Sequence, residues 1–130
     1  MPPCDHLDIA QPDDSWSCHR WDNCATGFAL LCFLGAGHTQ KAGNYRKQVM
    51  NGLAFLEQAQ NANGSFSKSN YVHAVATMAI AEAYGMTKAG SLKDMTQKAV
   101  NVILERQNEN GYLGWTYRTP GARNDTSVTG

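Results

Sequence analysis

Ala25-Thr26-Gly27-Phe28-Ala29-Leu30-Leu31-Cys32-Phe33-Leu34-Gly35-Ala36 is apolar on every face when wound at helical pitch. A helix with no polar side has to be buried all round. The run is far shorter than the roughly 20 residues that cross a bilayer, so a core helix is expected and no membrane span. A second segment of this kind covers 71–84, where His73, Thr77 and Glu82 are the polar interruptions. Asn70 is placed to cap its start and Gly85 to supply its left-handed stop.

The segments that follow each of these are two-faced. Within 44–60, Tyr45, Val49, Leu53 and Leu56 mark one stripe, with Arg46, Lys47 and Glu57 off it. Within 92–107, Leu92, Met95, Ala99, Val102 and Ile103 form the same pattern, and Ser91 with Asp94 resembles a capping box. No stretch combines β-branched enrichment with alternation, so an all-α chain is expected. The order buried, amphipathic, buried, amphipathic predicts two layers, inner helices covered by outer ones.

That order repeats. Gln60-Asn61-Ala62-Asn63-Gly64-Ser65-Phe66 returns as Gln107-Asn108-Glu109-Asn110-Gly111, followed by Trp115, at an offset of 47 residues. Trp16 to Gly27 returns from Trp115 onward, ending Asp125-Thr126-Ser127-Val128-Thr129-Gly130. A period near 50 with a helical hairpin per unit is the mark of a repeat array. In the turn, Asn-Gly supplies positive φ to end the outer helix, and the glutamine can bond orphan carbonyls or the next loop. The aromatic residue is placed to pack over the junction. Gln60, Gly64, Phe66 and Gln107, Gly111, Trp115 are therefore read as a structural clasp between units.

Composition narrows the function classes. At 130 residues one domain is expected, with 1–15 as an N-terminal extension and 16–130 as the repeat segment. Its hairpins fall at about 22–60 and 70–107, and a third opens at 125–130. Eleven basic side chains balance eleven acidic ones, which removes the electrostatic footprint of a nucleic-acid binder. The first residues carry neither a basic nor an apolar region, so no signal peptide is expected. Cys4, Cys18, Cys24 and Cys32 show no C-x-x-C spacing, and Cys32 sits in the apolar run as a small hydrophobe. Reduced thiols in a cytoplasm-like compartment are the reading adopted.

The Q-x-x-N-G turns with their aromatic residues resemble the QW repeats of squalene and oxidosqualene cyclases, whose α/α-toroid superfamily includes protein prenyltransferase β-subunits. The phrases at 29–39 and 125–130 are similar to bacterial proteins carrying prenyltransferase and squalene-oxidase repeats. The resemblance implies a partial α/α toroid of two helical hairpins. Family toroids hold more hairpins than this chain, which implies missing repeats of a longer parent or other copies of the chain as partners.

Chemistry implied by the resemblance is weaker than the fold. Gln11-Pro12-Asp13-Asp14 is the nearest text to the D-x-D-D acid of the cyclases, and Asp22 is the single carboxylate at the inner-helix start. Asp22 is thus the candidate catalytic acid, with helix capping as its structural reading. Prenyltransferase β-subunits bind zinc through a D-x-C pair and a histidine, which here correspond to Asp22, Cys24 and His73. His38, after the Gly35–Gly37 stop, is read as structural, and Cys18-His19 as a loop pair rather than a dyad. Glu82 has to reach water, a partner or the lumen. Phe28, His73 and Thr77 are the candidate ligand-contacting residues, and inner aromatics are read as packing before a cation box.

The reading adopted is a structural or isoprenoid-type ligand-binding unit without independent catalysis and without a required cofactor. The alternatives are a zinc-dependent prenyl-transfer site and a protein-interaction scaffold.

Overall fold

The computed structural model describes residues 22–108, 114–118 and 123–130. The N-terminal extension, Cys4, Asp13, Asp14, Trp16, Cys18, His19 and Gly111 lie outside the described residues. The described chain is all-α: α1 Asp22–Gly35, α2 Arg46–Ala59, α3 Asn70–Thr87, α4 Gly90–Glu105 and α5 Thr126–Thr129. Among the described residues there is no strand, and Ser69 and Arg118 form an isolated antiparallel bridge. No described helix is long and apolar enough to cross a membrane.

Two sets of hydrogen bonds orient the inner helices. At the start of α1, the Asn23 amide donates to Phe66 O, just before α3 begins. Beyond the end of α1, Gln40 Nε2 donates to Thr87 Oγ1 and Lys41 Nζ to Thr87 O, at the end of α3. Starts lie beside starts and ends beside ends, so α1 and α3 are parallel. Their contact is the most extensive among the described helices; α2 covers α1, and α4 and α5 lie against α3. Gly27 permits the close approach, because a Cβ there would sit 3.0 Å from Val75 Cγ1 and 3.2 Å from Val75 O.

The core joins Leu30 and Leu34 of α1, Val49, Leu53 and Leu56 of α2, Ala76, Ala79, Ile80 and Ala83 of α3, and Leu92, Met95 and Ala99 of α4. The outer helices bury one stripe each, as amphipathic sequences do. Tyr45 departs from that stripe. It precedes α2 and is 45% exposed, with its ring against Phe33 and His38. Neither inner helix is buried all round: α3 leaves Met78 55% and Met86 42% exposed, and α1 leaves Phe28 46% exposed and Cys32 exposed as well. The expectation that the 25–36 and 71–84 segments are buried all round is therefore corrected for both, with Met78 and Glu82 the exposed residues of the second. α1 packs on α2 and α3, whereas α3 packs on α1, α4 and α5.

Several local stop and start signals act differently from their sequence reading. The end of α1 is a Schellman turn: Gly37 at φ 85 with Gly37 N–H to Leu34 O and His38 N–H to Phe33 O. Gly85, by contrast, does not stop α3. The helix runs to Thr87, and Lys88 takes the left-handed position at φ 51, its N–H on Tyr84 O. The Ser91–Asp94 box does not form, since α4 already begins at Gly90 and Ala89 occupies the cap position without a side-chain bond. Gly64 does not end α2 either, because α2 finishes at Ala59 and Gln60 is extended. Gly64 closes the following turn at φ 93, where a Cβ would meet Lys98 O of α4 at 2.7 Å.

Candidate functional site

Two junction loops and the face of α3 between them carry the polar side chains that the fold organises. In the first loop, Gln60 Nε2 donates to Gly64 O and to Met95 O, tying the end of α2 to the turn and to α4. Phe66 is buried against the His73 ring, centroids 5.8 Å apart. In the second, Gln107 sits just past α4 with its N–H on Leu104 O, and Trp115 Nε1 donates to Ile103 O at 2.7 Å. Trp115 thus bonds the outer helix α4 while Phe66 lies on the inner helix α3, and the first is half-buried where the second is buried.

His73 is 1% exposed and bridges three segments. Phe66 N–H donates to its Nδ1 at 3.2 Å, and its Nε2 lies 2.9 Å from Ala99 O. A backbone N–H can only donate and a carbonyl can only accept, so the ring is neutral with its proton on Nε2. Burial, and secondarily the positive field of Arg106, hold its pKa below the usual imidazole value, against the opposing pull of the Ala99 carbonyl. Thr77 lies one turn along, its hydroxyl donating to His73 O.

The zinc set is not assembled. Among the described residues no three His, Cys, Asp or Glu side chains gather closely enough to hold a metal. Both His73 nitrogens are already engaged, by Phe66 N–H and Ala99 O, which leaves the ring no free lone pair for a metal. The residues do not fit zinc. Asp22 stands in the first turn of α1 as a helix-start carboxylate, where negative charge meets the positive end of the dipole. Glu82 is exposed on α3 and reaches water.

A cavity of about 450 Å³ opens where α1, α3, the 114–118 segment and α5 meet. Phe28, Tyr71, Val75, Met78 and Trp115 give it an apolar lining, with Asn70 and His73 among its few polar groups. Phe28 and Tyr71 lie 6.4 Å apart, and Tyr71 stacks on Tyr117 at 6.2 Å. The fold thus brings Phe28 and His73 to one cavity. Thr77 stands behind the wall rather than in it.

In comparisons with protein families, curated proteins and solved structures, nothing matches the chain. Its site has to be understood from its own geometry.

Sequence reasoning overlooked two residues at this site. Asn70 read as a cap, yet the cap position is Ser69 and the Asn70 amide donates instead to Thr116 O at 2.8 Å. Arg106, at the end of α4, donates through Nη1 to Ser67 O and to Asn70 Oδ1. A signal for the first existed: Asn23 and Asn70 share the 47-residue offset of Gln60 and Gln107, and both inner-helix starts send an amide to the next loop. Nothing in the sequence pattern marked Arg106.

Proposed function

We propose that the chain is a toroid-like repeat unit that binds an apolar, isoprenoid-type ligand against its inner helices, without catalysis of its own. The observation that carries this reading is the apolar cavity of about 450 Å³ beside α3, a size and lining typical of small-molecule pockets. Further support comes from the parallel inner helices, the outer helices that cover them, and the QW-like turns that resemble those of the terpenoid cyclase and prenyltransferase superfamily. In this reading further repeats or other copies of the chain complete the ring.

The driving force is burial of hydrocarbon, about 25 cal/mol per Å² removed from water, with the aromatic rings as flat contacts. Titration with a fluorescent farnesol analogue tests it. The expected result is saturable binding that weakens roughly tenfold or more in Met78→Glu, because a charge placed on the apolar lining must be desolvated. Met78 is 55% exposed, so the substitution leaves the core intact. Absence of saturable binding, or equal binding by the variant, rejects the reading.

A further inference from the structure

The cavity has one wall that is not a helix of the bundle. The 114–118 segment supplies Trp115 to the lining, and Asp125 N–H then bonds Trp115 O as α5 begins. An irregular segment has no internal ladder to fix it, so its position depends on what it is tied to.

Much of that tie comes from one residue. Asn70, 4% exposed at the start of α3, donates its backbone N–H to Tyr117 O at 2.9 Å and its side-chain Nδ2 to Thr116 O at 2.8 Å. The neighbouring Ser69 bridges Arg118. Asn70 Oδ1 accepts from Arg106 Nη1 at 3.1 Å, and the same nitrogen donates to Ser67 O at 2.8 Å. The guanidinium therefore sets the sense of the amide, oxygen toward the cation and nitrogen toward Thr116 O.

The first repeat supplies a comparison within the molecule. Asn23 makes the equivalent bond to Phe66 O, but Ala59 stands where the second repeat has Arg106. The bond to the next loop belongs to both repeats. The cation that orients the amide belongs only to the repeat whose next loop supplies the 114–118 wall.

We propose that Asn70, oriented by Arg106, is the positioning residue that seats the 114–118 wall and thereby shapes the cavity. It acts through that segment and not as the main contact with a ligand. The affinity arm of the test rests on the ligand-binding reading above; the wall arm does not.

Asn70→Asp separates the two halves of the arrangement. A carboxylate still accepts from Arg106 but has no N–H for Thr116 O and repels that carbonyl. Hydrogen exchange of the Trp115 and Asp125 amides, which bond Thr129 Oγ1 and Trp115 O while the wall is seated, is expected to accelerate about tenfold, the cost of one buried bond, with little change in melting temperature. Affinity for the farnesol analogue is expected to fall by a similar factor. Asn23→Asp, at the first repeat, leaves both quantities unchanged.

If Asn70→Asp does not fold, Arg106→Met gives the same readout, with a smaller acceleration of about threefold because the amide loses its orientation but keeps its donor. Unchanged exchange at Trp115 and Asp125 in the variant that folds overturns the proposal. So does faster exchange with undiminished affinity. A wild-type protein that binds no probe rejects the ligand reading alone, and the exchange result still decides whether Asn70 seats the wall.

Discussion

α1 and α3 are near-equivalents in sequence, both apolar around their circumference, and yet they sit in different surroundings. α3 buries Val72, His73, Ala76, Ala79, Ile80 and Ala83 and packs on three helices, leaving Met78 and Met86 as its exposed apolar side chains. α1 buries Cys24, Leu30 and Leu34 on two neighbours and leaves Phe28 nearly half exposed. The difference teaches that the burial of an inner helix is fixed by how many helices flank it. Its own composition states only what it can tolerate.

Substitutions can break that comparison. Ile80→Ala on α3 empties a fully buried site and is expected to cost about 2–5 kcal/mol in chemical denaturation. Phe28→Ala on α1 is expected to cost less than about 1 kcal/mol. Equal losses would mean that the two helices are equally enclosed. Gly27→Ala comes next, at about 1–3 kcal/mol, because the added methyl presses on Val75 at the α1–α3 contact.

The pH dependence is gentler and belongs to α3. His73 has a depressed pKa in the folded state, so the unfolded chain takes up the proton first. Its contribution to stability is complete above the ordinary value of 6.5 and is lost as pH falls from there toward the folded pKa. The slope from one such group is at most about 1.4 kcal/mol per pH unit. Melting curves between pH 7 and 4 should show this component in the wild type. His73→Gln should remove it, since a neutral amide can still accept from Phe66 and donate to Ala99. The smallest expected effect has the opposite sign. Gly85→Ala, at an exposed helical position with nothing within 4 Å, should stabilise α3 by about 0.5–1 kcal/mol.

The helical class and the layering were legible because periodicity reports directly on which side chains can be hidden. The outer helices expected at 44–60 and 92–107 lie at Arg46–Ala59 and Gly90–Glu105. Local capping signals failed where tertiary contacts took the residue for something else. Asn70 is drawn to the 114–118 segment, and Gly64 is held against the backbone of α4. At the site, Phe28 and His73 share a cavity, but spacing could not show that both nitrogens of His73 are already occupied. A sequence carries residue types and intervals; it does not carry the partner that satisfies each polar atom.

The bridging imidazole has a consequence for how the molecule comes apart. Because one ring joins the backbone after α2, the first turn of α3 and the carbonyl of Ala99 in α4, opening any one of the three breaks a buried bond to another. A protease that nicks the first junction should therefore loosen α4 in the same event, and the second hairpin should melt as a single cooperative block rather than fray from one edge.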